Sequence, residues 1–153
     1  MLNIVLHEPE IPYNTGNIGR TCVATGTALH LIRPLGFFTD DRAIKKAGLD
    51  YWSLLNLRYY DGFEDFLTKA KPKQLFLSTT KAEKSYADAE YEDGAFIVFG
   101  KESAGLPLEI RERFPDACVR IPMLDGTRSL NLSNSVAVVL YEALRQNRFN
   151  GMR

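Results

Sequence analysis

At 153 residues, 45% of them hydrophobic and 25% charged, the chain has the size and make-up of one globular domain, residues 1–153, able to bury a core without disulfide or metal staples. Lys plus Arg equals Asp plus Glu at 19 each, so bulk charge announces no nucleic-acid partner; such a surface would need local clustering or a second subunit. Cys22 and Cys118 lack metal-ligand spacing and read as free thiols in a reducing cytosol, and neither a leader nor an apolar run of about 18 residues is present, so a soluble cytoplasmic protein with no metal and no membrane partner is expected.

In chain order, the first strand is expected at Leu2–His7, followed by a polar loop and a helix over Asn17–Thr25 that carries Ile18, Cys22 and Val23. A strand at Ala28–Ile32 leads to an amphipathic helix at 40–47, then to a strand at Leu55–Tyr59. The helix at Phe63–Ala70 puts Phe63, Phe66, Leu67 and Ala70 on one face, ahead of a strand at Gln74–Thr79. Lys81–Gly94, polar but with Tyr86 and Tyr91, is the longest irregular stretch and reads as a mobile loop. Strands at Ala95–Phe99 and Cys118–Ile121 flank a short helix at Leu108–Phe114. The longest helix, Ser133–Asn147, has an apolar stripe of Val136, Val139, Leu140, Ala143 and Leu144, suited to a core or to a homodimer face.

Strands nearly continuous in apolarity and alternating with helices predict an α/β domain: a mostly parallel sheet with helices on both faces. Ligands of such sheets sit beyond the carboxyl ends of the strands. Three polar, glycine-bearing segments follow strands in that way: Glu8–Arg20, Gly100–Pro107 and Asp125–Ser135. The last packs Asp, Thr, Arg, Ser and Asn side chains into one loop before the longest helix, a binding loop with helix-start donors at hand for a ligand.

The glycines at 16, 19 and 26 fit neither the dinucleotide fingerprint nor the P-loop, which disfavours a nucleotide-dependent oxidoreductase. Asn14–Asn17 reads as a turn capping the next helix, with Arg20 in that helix's first turns. Taken alone, Arg20 is a solvated helix residue; beside a ligand its guanidinium would suit a phosphate. Gly100, directly after a buried strand, would let a ligand approach the backbone, and Glu102 is either a helix cap or a site carboxylate. His7 and His30 have no partner histidine in a ligand pattern and read as core or strand-end residues, and Ser129 lacks the His–Asp context of a hydrolase.

Together these loops resemble the SPOUT class of RNA methyltransferases. Asn14-Thr15-Gly16-Asn17-Ile18-Gly19-Arg20 looks like its first motif, Gly100-Lys101-Glu102-Ser103-Ala104-Gly105 like its second, and Ile121-Pro122-Met123 through Ser129-Leu130-Asn131-Leu132-Ser133-Asn134 like its third. The opening Leu2–Pro12 and the stretch 48–51 are similar to one subgroup, the tRNA (cytidine/uridine-2'-O)-methyltransferases of the wobble nucleotide.

The resemblance implies a SPOUT fold with a C-terminal trefoil knot, S-adenosylmethionine as cofactor, and a homodimer that acts on the tRNA anticodon stem-loop. It implies cofactor contacts, mostly from backbone, near Ser78, Thr79, Gly100, Glu102, Ile121, Ser129 and Leu130. Arg20 would be the catalytic arginine, supported by Glu102 and Asn131, with Tyr141 placing substrate or sulfonium. Tyr13, Lys101 and Ala104 depart from the versions this chain most resembles, which bears on RNA preference. Methylation of another tRNA or rRNA ribose, or a knotted RNA-binding module without chemistry, are the competing readings.

Overall fold

A computed structural model describes residues 1–40, 42–48 and 51–153, with the side chains of Lys45, Ala47 and Gly48 left out. Among the described residues there are six strands: β1 (Asn3–His7), β2 (Ala28–Ile32), β3 (Leu57–Tyr60), β4 (Leu75–Ser78), β5 (Phe96–Phe99) and β6 (Cys118–Val119). They form one sheet in the order β3-β2-β1-β5-β4-β6, and every pairing is parallel. Each strand lies within a residue or two of its expected position. β2 is buried at all five positions, as continuous apolarity requires of a strand covered on both faces.

The α-helices among the described residues are α1 (Pro12–Thr25), α2 (Arg42–Gly48), α3 (Phe63–Ala70), α4 (Leu108–Arg113) and α5 (Leu132–Gln146). On one face of the sheet, Ile18 and Cys22 of α1 and Val136, Val139, Leu140 and Ala143 of α5 pack against Ile4, Leu6, Leu29 and Ile97. On the other, Phe66 of α3 and Ile110 of α4 pack against Val5, Ile32, Leu77 and Val98. The helices therefore cover both faces. The α5 stripe belongs to the core, since all five of its residues are buried.

Two expectations are corrected. α1 begins at Pro12, five residues before the expected start at Asn17, so Asn14–Asn17 lies inside the helix instead of capping it, and Arg20 sits in its third turn. The proline's fixed φ and missing N–H suit a first helical turn, which hides the helix start behind what reads as a loop. Lys81–Gly94 is not a loose loop. Tyr86 N donates to Arg120 O at 2.8 Å and Arg120 N to Lys84 O at 2.9 Å. Tyr91 N donates to Gln146 Oε1 at 2.8 Å, the Tyr91 hydroxyl to Tyr86 O at 2.8 Å, and Asn147 Nδ2 to Tyr91 O at 2.9 Å. With Ala82, Ala89 and Tyr91 buried, the segment is a strap fastened to β6 and α5.

The histidines follow their expected placement. His30 is buried between Tyr60, whose hydroxyl meets Nδ1 at 2.8 Å, and Asn3, whose Oδ1 meets Nε2 at 3.1 Å. Burial, with the Arg58 charge adding in the same direction, pushes its pKa down to about 4, so it is a neutral core residue. Burial likewise lowers His7 at the end of β1, although Glu8 partly opposes it. Both cysteines are free thiols; burial lifts buried Cys22 to about 12, and Cys118 is half-buried. Among the described residues no helix is long and apolar enough to cross a membrane, and no group of three or more His, Cys, Asp or Glu could hold a metal ion.

Candidate active site

The strand order reverses between β1 and β5, and the loops leaving those strands meet at the carboxyl edge of the sheet. Beside them a cleft of about 650 Å³, within the usual range for ligand sites, is walled by the ends of β4, β5 and β6 and the start of α5. Ser78, Thr79, Gly100, Glu102, Ile121, Ser129, Leu130 and Asn131 all line it. Phe99, Leu106, Ile121 and Leu132 supply apolar surface, while Ser78, Thr79 and Ser129 bring hydroxyls. The β4 loop adds a fourth wall to the three read from glycines and polar runs. Arg20 and Tyr141 are not among the lining residues. Arg20 is exposed on α1 with its guanidinium 5.1 Å from the Tyr51 ring centroid, and Tyr141 is exposed on α5 with its ring 6.5 Å from that of Phe149.

The loops are held by one another. The Glu102 carboxylate accepts Glu10 N at 2.8 Å, Ile11 N at 3.0 Å and Asn14 Nδ2 at 3.2 Å. It thereby sits at the start of α1, where orphan N–H groups and the helix dipole favour an anion. In return the Glu10 carboxylate accepts Ser103 N at 2.9 Å and the Ser103 hydroxyl at 2.8 Å. Those bonds from Ser103 hold Glu10 below the usual carboxylate range. Asn131 Nδ2 donates to Asn14 Oδ1 at 3.0 Å. Its own Oδ1 caps α5, accepting Ser133 N at 2.9 Å, the Ser133 hydroxyl at 2.6 Å and Asn134 N at 3.3 Å.

Asn14, buried in α1, thus joins all three motif segments, and sequence reasoning missed it by treating it as a turn residue. A polar side chain spaced with Ile18 and Cys22 on the buried face of α1 was the available signal. The helix-start donors expected to serve a ligand at α5 are already taken by Asn131, and those of α1 by Glu102. Both residues act as positioning groups toward the protein's own loops.

Gly100 lines the cleft, and the loop's own packing also requires a glycine there. A Cβ there would lie 2.1 Å from Gly105 C and 2.2 Å from Leu106 N, so the close approach is made by the loop's own backbone. Gly105 N closes the turn by donating to Lys101 O at 2.8 Å. Gly19 belongs to no phosphate cradle either, since its missing side chain leaves room for Trp52 and Leu55 at 3.2 and 3.3 Å.

The SpoU rRNA methylase family model matches residues 1–141. The chain belongs to the SpoU rRNA methylase family. It is 47% identical over 152 residues to the tRNA (cytidine(34)-2'-O)-methyltransferase of Escherichia coli strain K12, covering 99% of this chain and 97% of that one. Among solved structures of the family fold, one described as giving insight into the 2-OH methylation of C/U34 on tRNA superposes with a TM-score of 0.91 at 44% identity, over 97% of both chains. An AdoMet-bound rRNA methyltransferase from Sinorhizobium meliloti superposes with a TM-score of 0.83 at 26% identity, over 94% of this chain and 56% of that one. The similarity to 48–51 noted in the sequence includes Leu49 and Asp50, which lie outside the described residues.

Proposed function

We propose that this SpoU-family chain transfers a methyl group from S-adenosylmethionine to the ribose 2'-hydroxyl of the wobble cytidine or uridine of tRNA, working in the cytoplasm as one domain over residues 1–153. The observation that carries the reading is the hydrogen-bonded line Glu102–Asn14–Asn131, which gathers the three motif segments at one cleft. The cleft suits the cofactor: apolar surface from Phe99, Leu106 and Ile121 for a purine, and hydroxyls and loop backbone at Ser78, Thr79, Gly100, Ser129 and Leu130 for its polar end.

S-adenosylmethionine supplies a methyl already activated by positive sulfur. The protein has to align the 2'-oxygen with that methyl and assist loss of one proton. The role of Arg20 is to clamp the phosphate beside the target ribose, which takes up the hydroxyl proton as the methyl passes to the 2'-oxygen and S-adenosylhomocysteine leaves. Glu102 and Asn131 hold the loops in register, and Tyr141 helps seat the substrate.

The working unit is a homodimer, and the fold carries a C-terminal trefoil knot. Arg20 lies outside its own chain's cleft, on a face of α1 shared with exposed Tyr13 and Asn17, while Val138 and Tyr141 leave apolar surface uncovered on α5. A second copy docked on that face would bring its own Arg20 to this cleft. For the knot, support comes from the strap Lys81–Gly94, which is hydrogen-bonded both to Arg120, just after β6, and to Gln146 in the last turn of α5.

The test is methylation of tRNA from cells lacking the modification, with labelled cofactor and the methylated ribose mapped. Label at position 34 alone is expected. Label elsewhere would move the substrate, and none in any RNA would remove the activity.

A further inference from the structure

The chain is neutral overall, yet the cleft is not. Lys81, Lys101, Arg111 and Arg128 line it against one carboxylate, Glu102, which already accepts three N–H groups. Two of the four cations have partners. Lys101 Nζ lies 3.5 Å from Glu8 Oε2, and Arg111 Nε donates to Leu106 O at 3.3 Å. Lys81 and Arg128 are exposed, and among the described residues neither has a carboxylate partner. The turns that carry them are hydrogen-bonded. Lys81 N donates to Thr79 Oγ1 at 3.2 Å, and Arg128 follows a turn in which the Thr127 hydroxyl donates to Leu124 O at 2.7 Å.

S-adenosylmethionine is a net cation whose single carboxylate calls for at most one positive partner, whereas a polyanion calls for several. We propose that Lys81 and Arg128, from two different loops, bind backbone phosphates further along the strand than the one Arg20 clamps and so set the RNA in the cleft. The assignment rests on the methyltransferase reading above. These contacts position the strand and carry no base identity, so they act alike on every accepted sequence.

The experiment compares wild type with Lys81→Ala, Arg128→Ala, Lys81→Arg and Arg128→Lys in tRNA binding over a range of salt, in steady-state transfer and in S-adenosylhomocysteine binding. Each alanine variant should lower the slope of log affinity against log salt by about 0.7, the value for one phosphate contact to a single strand. KM for tRNA should rise several-fold with S-adenosylhomocysteine affinity unchanged, and the charge-keeping variants should retain the wild-type slope. Unchanged slopes and KM would overturn the assignment, as would weakened S-adenosylhomocysteine binding at an unchanged slope, which would make these residues cofactor ligands. Absence of transfer by wild type to any RNA would instead overturn the reading on which the assignment rests.

Discussion

Glu10 and Glu102 hold each other's loops: the Glu10 amide donates to Glu102 Oε2 at 2.8 Å, and the Glu10 carboxylate accepts the amide and hydroxyl of Ser103 beside Glu102. The two carboxylates avoid conflict because each faces the donors of the opposite loop. The first and second motif segments are therefore one mechanical unit.

Removing the centre of that unit should be costly. Asn14→Asp replaces the Nδ2 donor with an anionic oxygen facing Glu102, so a hydrogen bond becomes a like-charge contact. We expect a loss of about 2–3 kcal/mol in urea unfolding, larger than for Asn14→Ala, together with weakened S-adenosylhomocysteine binding. Equal stability of the aspartate variant and wild type would show that the line through Asn14 is incidental.

Gly100→Ala tests the second loop. With its Cβ forced onto the Gly105–Leu106 backbone, the turn must open. A loss of about 3 kcal/mol and of cofactor-analogue binding is expected from calorimetry. A variant that binds as wild type does would mean that the loop adjusts.

Arg20→Ala separates chemistry from folding. The residue is exposed, so stability should stay within about 0.5 kcal/mol of wild type and S-adenosylhomocysteine should bind normally, while single-turnover transfer to tRNA disappears. Wild-type-like turnover would remove Arg20 from the reaction.

The fold should weaken in mild acid through His30. Its folded pKa lies near 4 against an unfolded value near 6.5, so the unfolded chain takes up the proton first. Stability from this residue is whole above pH 6.5 and falls as pH drops toward 4, by about 3 kcal/mol at the limit. Proton NMR of the ring should show no titration of His30 through pH 6; a midpoint near 6.5 would contradict its neutral, paired state.

The sequence made the sheet legible because buried parallel strands are written as unbroken apolar runs, and β1 to β6 all fell near their expected places. α3 was legible from Phe63, Phe66, Leu67 and Ala70 sharing a face. The start of α1 was not, since Pro12 and the polar residues after it look like loop, and the N–H of Ile11 just ahead of it is satisfied by Glu102, some ninety residues later. The strap at Lys81–Gly94 was opaque for the same reason: its fixing partners are Arg120, Gln146 and Asn147. The motif glycines signalled a site, but the role of Gly100 emerges only when Gly105 and Leu106 fold back against it.

The line from Asn14 to Asn131 also sets when the cleft can exist. Its two ends are 117 residues apart, so no early folding unit holds both walls. Synthesis must pass β6 and reach α5 before any pocket forms, and a half-made chain cannot capture the methyl donor. Bound cofactor would thus stabilise the completed fold alone, and hydrogen exchange of α1 and α5 should slow together when the donor is added.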